Sequence, residues 1–177
     1  LYKAAFPDRV MANVTKDVQS LSVYGFSQDM IDAWAGSVKE LNQLQLDAIN
    51  DFGLLRGEHL VVSAPTSSGK TMIGELTALL GTRTGKRAFF LLPLKALVND
   101  KYSAFNETYG KFGLKTIRAT GEHSDDNPAL MRGQYDICLM TYEKFTALAL
   151  SRPHILEQAG VVVVDEVQMI ADENRGV

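Results

Sequence analysis

At 177 residues, 46% hydrophobic and 22% charged, the chain has the length and composition of one globular domain with a core of its own. No apolar run reaches the roughly 18 residues of a membrane span, residues 1–20 show no signal-peptide pattern, and the single Cys138 excludes an internal disulfide. The net charge of −3, from 18 Lys and Arg against 21 Asp and Glu, does not announce a nucleic-acid binder, so any such role must rest on local sites. A buried, reduced Cys138 and the lack of a membrane segment fit an intracellular protein.

In chain order, residues 1–26 are mixed and weakly periodic, an N-terminal extension that is helical or irregular. From Ser27, placed as an N-cap, Met30, Ile31, Trp34 and Val38 fall on one helical face. A second helix follows, with Leu44, Ala48, Ile49 and Phe52 inward and Gly53 near its end. Short apolar runs then recur at 59–63, 87–92, 114–118 and 136–140, and Val161–Val164 reads as a further buried strand. Helix-period segments lie between most of them. Residues 94–109 are the clearest, with Leu94, Leu97, Val98, Tyr102, Phe105 and Tyr109 on one stripe. Apolar strands alternating with helices predict an α/β fold over 55–177, a doubly wound, mostly parallel sheet with helices ahead of it. Ligands of such folds bind at the carboxyl ends of the strands.

Two stretches carry chemistry. Ala64, Pro65, Thr66, Ser67, Ser68, Gly69, Lys70 and Thr71 follow the first predicted strand and open a helix bearing Met72, Ile73, Leu76, Leu79 and Leu80. This is a phosphate-binding loop pattern, with Ala64 in place of the usual first glycine. Backbone N–H groups and a helix N-terminus surround the phosphate, Lys70 reaches the β- and γ-phosphates, and Thr71 binds Mg²⁺. Asp165 and Glu166 end another strand of the same predicted sheet. Taken alone they could merely cap that strand. Beside the loop, Asp165 can hold the same Mg²⁺ while Glu166 orients and deprotonates water for attack on the γ-phosphate.

These stretches resemble motifs I and II of superfamily 2 helicases, and the superkiller-type group most closely, whose motif II usually reads Asp-Glu-Val-His. Four further stretches are similar in order: Leu41–Ala48 to the upstream glutamine motif, Pro93–Leu97 to motif Ia, and Thr120-Gly121-Glu122 and Thr141–Lys144 to later nucleic-acid contacts. The resemblance covers roughly residues 25–177. It implies a RecA-like P-loop NTPase fold, an ATP-binding domain over 27–177, the cofactors ATP and Mg²⁺, and single-stranded DNA or RNA as partner. It makes Gln45 the adenine reader, a role its amide suits by pairing with adenine N6 and N7, although Gln43 competes by spacing. It makes Pro93, Leu94, Lys95, Thr120, Gly121, Thr141 and Lys144 the strand contacts. A plain strand-to-helix turn at Pro93, an N-cap at Thr141 and a solvated Lys144 remain the structural alternatives. None of the three histidines sits in a ligand-like cluster.

Two departures stand out. Gln168 occupies the place of the family's histidine or aspartate, and the sequence stops at Val177, before the Ser-Ala-Thr motif and the second motor domain with its arginine fingers. The resemblance therefore implies a first motor domain, incomplete at its C-terminus, that hydrolyses ATP barely on its own and closes against a second RecA-like domain. The expected function is ATP-driven helicase movement on a single strand. The rivals are a translocase that does not unwind and a non-catalytic ATP-gated clamp, against which Glu166 argues.

Overall fold

A computed structural model of the chain describes residues 12–83, 85–120 and 127–171. Their contacts fall into two units, residues 1–84 and 85–177.

The first unit is helical. A 3-10 helix, Val18–Tyr24, starts where the Asp17 side chain accepts from the Gln19 N–H and stops at Gly25, whose φ of 78° ends the turn. It buries Val18, Leu21 and Tyr24, so this stretch contributes to a core. Helix α1, Gln28–Ala35, begins behind Ser27, but the Ser27 hydroxyl makes no capping bond. α1 buries Ile31 and Trp34, and Trp34 meets Phe26 edge-on with ring centroids 5.1 Å apart. Val38 lies past the end of α1, beyond the reach of its period.

Helix α2, Gln43–Asn50, opens with a capping box between Asn42 and Gln45 and buries Ala48 and Ile49. Phe52, expected inward, is 64% exposed. The reason is local: α2 ends at Asn50, so the helical stripe no longer governs Phe52. Helix α3, Lys70–Thr82, buries Met72, Ile73, Leu76, Leu79 and Leu80 as its spacing predicts. The strand expected at 59–63 does not form, and Val61 is 90% exposed. A strand is held by a ladder to a neighbour, and no strand lies among the described residues of this unit.

The second unit carries the sheet. Strands β1 (Arg87–Leu92), β2 (Thr116–Ala119), β3 (Ile137–Thr141) and β4 (Ala159–Val164) lie in the order β2-β3-β1-β4, all pairs parallel. Helices α4 (Lys95–Tyr109), α5 (Asn127–Arg132) and α6 (Tyr142–Ser151) connect them. Side chains alternate across a strand, so the sheet has two apolar faces. One gathers Phe89, Ile117 and Cys138 with Leu130 of α5 and Leu148 of α6. On the other, Phe90 meets Phe105 of α4 at 5.7 Å, and Phe105 meets Tyr109 at 5.2 Å. Helices therefore cover both faces, the doubly wound arrangement the sequence predicts. Leu94, expected on the α4 stripe, is exposed, because it sits in extended backbone as the N-cap and α4 begins after it.

The four valines of β4 correct one expectation. Only Val161 is buried, while Val162 and Val164 are 44% and 40% exposed. β4 is the sheet's edge, paired with β1 alone among the described strands. Among the described residues, no helix is long and apolar enough to cross a membrane.

Two substitutions test this packing. Phe105→Ala removes a ring wedged between Phe90 and Tyr109 and should cost about 3–5 kcal/mol in urea denaturation, whereas Phe52→Ala should stay within about 0.5 kcal/mol of the parent. Equal losses would contradict the burial of one ring and the exposure of the other.

Candidate functional site

The loop at 64–69 feeds into α3 through two left-handed residues, Ser67 at φ 60° and Gly69 at φ 85°. Such turns direct successive backbone N–H groups into a concavity that suits an anion. No side chain caps α3, so the N–H groups of its first turn look for another acceptor. Ser68 adds a second signal: its hydroxyl is buried with no hydrogen-bond partner among the described residues. A phosphate oxygen would satisfy both, so the residues fit the group the sequence motif calls for. The Lys70 ammonium lies folded over the loop, donating to the carbonyls of Ala64 (2.5 Å) and Pro65 (2.7 Å). Pro65, Thr66 and Thr71 are exposed.

Two side-chain amides at the start of α2 hold this loop from behind. Asn42 Nδ2 donates to the Ser68 carbonyl at 2.9 Å, and Gln45 Nε2 donates to the Gly69 carbonyl at 3.3 Å and to Met72 Sδ at 3.6 Å. The capping box orients both: the Gln45 N–H donates to Asn42 Oδ1 (3.0 Å) and the Asn42 N–H donates to Gln45 Oε1 (2.9 Å). Gly69 is favoured by its φ, and a side chain there would also push the two amides aside. A Cβ there would lie 2.6 Å from Gln45 Nε2 and 2.7 Å from Asn42 Nδ2. The two glutamines that spacing could not separate differ here. Gln45 is 3% exposed and packed under the loop, while Gln43 is exposed and donates to Asp47 Oδ1 at 2.6 Å. Asn42 was not singled out from sequence. Its signal was the Asn-x-x-Gln pattern at a helix start, a capping-box variant.

In the second unit, the acid pair follows β4. The Asp165 N–H extends the ladder by donating to the Leu91 carbonyl at 3.0 Å. Glu166 is left-handed, with φ 54°, a conformation that costs a non-glycine residue about 1–3 kcal/mol unless its surroundings impose it. Four contacts do. The Glu166 N–H donates to Asp165 Oδ1 at 3.0 Å, and the Met169 N–H donates to the Glu166 carbonyl at 2.9 Å. Gln168 Nε2 donates to Glu166 Oε2, and the Tyr142 hydroxyl donates to the Asp165 carbonyl. Gln168 thus steadies the Glu166 carboxylate. Tyr142 was missed by sequence reasoning, since a ring at a helix start gives no hint of a partner 23 residues away.

The parallel register sets the rest of this edge. Leu92 pairs with Thr141, Leu91 with Val164 and Ala119 with Met140, so all four strands end nearly level. Pro93, Leu94 and Lys95 after β1, Thr120 after β2, Thr141 to Lys144 at the end of β3, and Asp165-Glu166 after β4 therefore emerge on one side. Pro93 is buried, while Leu94 and Lys95 are exposed at the start of α4, which no side chain caps. Thr120 Oγ1 is buried with no hydrogen-bond partner among the described residues. Gly121 and Glu122 lie outside the described residues. Thr141 caps α6, accepting from the Lys144 N–H at 3.3 Å. Lys144 lines an open groove of about 380 Å³ with Met131, Ser151 and Arg152. Arg152 is a cation the sequence reading had not placed there.

Comparison with known proteins agrees with the geometry. The family model described as DEAD/DEAH box helicase matches residues 42–177. Curated relatives include the ATP-dependent DNA helicase Hel308 of Pyrococcus horikoshii, 36% identical over 140 residues, and that of Caldivirga maquilingensis, 31% identical over 161. The alignments cover 78% and 90% of this chain but 19% and 21% of those proteins, so the chain spans about a fifth of their length. The crystal structure of the DUF1998 helicase MrfA superposes with a TM-score of 0.69 at 25% identity, over 82% of this chain and 24% of that one. The Mycobacterium smegmatis helicase Lhr, solved with ssDNA and AMP-PNP, matches with a TM-score of 0.64 at 23% identity, over 85% and 21%, a likeness of fold alone. The family match begins at Asn42, the residue that caps α2 and holds the loop ahead of α3, and runs through the acid pair: the chain belongs to the DEAD/DEAH box helicase family.

Proposed function

We propose that this chain is the first motor domain of an ATP-dependent DNA helicase that acts inside the cell, moving on single-stranded DNA. The observation that carries the proposal is the uncapped start of α3 behind a left-handed loop with a partnerless buried Ser68 hydroxyl. DNA is favoured over RNA because the Hel308 relatives are named as DNA helicases.

In this reading the loop N–H groups, Ser68 and Lys70 hold the phosphates, with Lys70 exchanging its loop carbonyls for phosphate oxygens. Gln45 selects adenine by turning its amide outward, which exchanges the long bonds of Nε2 to the Gly69 carbonyl and Met72 Sδ, and the Asn42 N–H on Oε1, for adenine N6 and N7. Thr71 and Asp165 would hold Mg²⁺, which would neutralise charge on the β- and γ-phosphates. Glu166 orients water and takes its proton. Pro93 to Lys95, Thr120-Gly121 and Thr141 to Lys144 contact the strand, mostly through phosphates. A second RecA-like domain of the full-length protein supplies the arginine that stabilises the transition state, an effect worth roughly 10³–10⁵ in rate in related enzymes.

The two acids should separate binding from turnover. In the full-length protein, Glu166→Gln should abolish ATP hydrolysis while ATP stays bound, and Asp165→Ala should weaken Mg²⁺-dependent binding itself. The 177-residue chain alone should bind Mg-nucleotide and hydrolyse it barely above background, because it holds the phosphates without that arginine. Calorimetry and a phosphate-release assay read both quantities, and full turnover by Glu166→Gln would refute the assignment.

Strand binding should weaken steeply with salt, with a log–log slope that changes by about 0.7 for each phosphate contact. Replacing Lys95 and Lys144 together by alanine should flatten that slope by about 1.4 in fluorescence anisotropy. An unchanged slope would remove both lysines from the strand path.

A further inference from the structure

We propose that Tyr142 is a positioning residue that ties the start of α6 to the peptide bearing the acid pair, so that strand contact at Thr141 and Lys144 sets the direction of Glu166. The idea rests on the function proposed above, in which Glu166 orients water and the β3–α6 turn touches the strand. Its geometry lies wholly within the second unit.

Tyr142 is the first residue of α6 and is buried. Its hydroxyl donates to the Asp165 carbonyl. That carbonyl and the Glu166 N–H belong to one planar peptide, and the rotation of that plane helps set the φ of 54° at Glu166. The peptide is therefore clamped at both ends. The clamp on the N–H side is Asp165 Oδ1, part of the carboxylate that Mg²⁺ would draw upon. The clamp on the carbonyl side comes from the Tyr142 hydroxyl. Gln168 holds the Glu166 carboxylate but not this peptide.

The other end of Tyr142 is anchored to the strand-binding edge. Thr141 caps α6 by accepting from the Lys144 N–H, so the backbone that precedes Tyr142 is part of the candidate strand contact. The ring also borders a pocket of about 170 Å³ lined by Leu91, Phe145, Val164 and Met169. It therefore has room to follow a small shift of α6. A displacement of the turn by a bound phosphate would move the hydroxyl, and with it the Asp165–Glu166 peptide.

Tyr142→Phe in the full-length protein keeps the ring and deletes the clamp. Strand-stimulated kcat should fall about tenfold, the rate equivalent of one hydrogen bond of about 1.4 kcal/mol. KM for ATP and the melting temperature should stay at parent values, and the rate without strand should fall less than the stimulated rate. Amide hydrogen exchange over residues 165–169 should quicken while exchange in β1 and β3 does not. A merely structural tyrosine would instead lower the melting temperature and both rates together. Unchanged stimulation together with unchanged exchange at 165–169 overturns the proposal. Should the parent itself show no strand stimulation, the helicase reading fails, and the exchange measurement still decides whether Tyr142 holds the acid pair. Tyr142→Leu, which also removes the ring, provides a second variant and should lose at least as much stimulation.

Discussion

Hydrogen bonding between parallel strands forces β1 to β4 to run one way, and every strand-to-helix turn of the second unit follows from that direction. In an antiparallel sheet, alternate turns would leave at opposite edges. Here the turns at Pro93, Thr120, Thr141 and Asp165 leave at the same edge and nearly at the same level. The core on either side, Phe89 and Cys138 on one face and Phe90 with Phe105 on the other, holds the strands in this register. Moving a strand by one residue would turn its apolar side chains to the wrong face. Packing in the core thus determines which polar residues meet at the edge.

Strain is concentrated where chemistry is expected. Among the described residues, the two non-glycine residues with positive φ are Ser67, in the loop ahead of α3, and Glu166, in the acid turn. Neither conformation would persist unaided. At Glu166 a ring hydroxyl, a neighbouring carboxylate, an amide and a backbone turn hold it. At the loop, the amides of Asn42 and Gln45 draw two carbonyls backward, which leaves the N–H groups free to face an anion. Each strained turn is therefore held in part by a residue from another segment, Tyr142 at the acid turn and Asn42 with Gln45 at the loop.

The same supports show how a polar side chain can serve structure and ligand at once. Thr141 closes the first turn of α6 and also lies on the edge proposed to meet the strand. Gln45 completes a capping box and underlies the loop that would hold phosphate. A helix start offers open N–H groups, so the residues that satisfy or withhold partners there decide whether it remains a structural terminus or becomes a binding surface. α3 and α4 lack side-chain caps, whereas α6 has one.

By itself the sequence determined the alternation of strands and helices, the stripe of α3, the loop that opens it and the place of the acid pair after β4. Those features depend on short spacings: a 3.6-residue or two-residue period, and reactive residues at a set offset from an element's end. Tertiary structure alone decided the rest. The expected strand at 59–63 formed no ladder because strand formation needs a neighbour that local sequence does not specify. Phe52 turned outward because α2 ended two residues earlier than its apolar pattern, and β4 lay at an edge because strand order is set by long-range pairing. The clamps on the site, Asn42 to Ser68 across 26 residues and Tyr142 to Asp165 across 23, were likewise invisible. Each joins residues that periodicity cannot relate, and they meet only because packing of the elements between them brings their atoms within hydrogen-bonding reach.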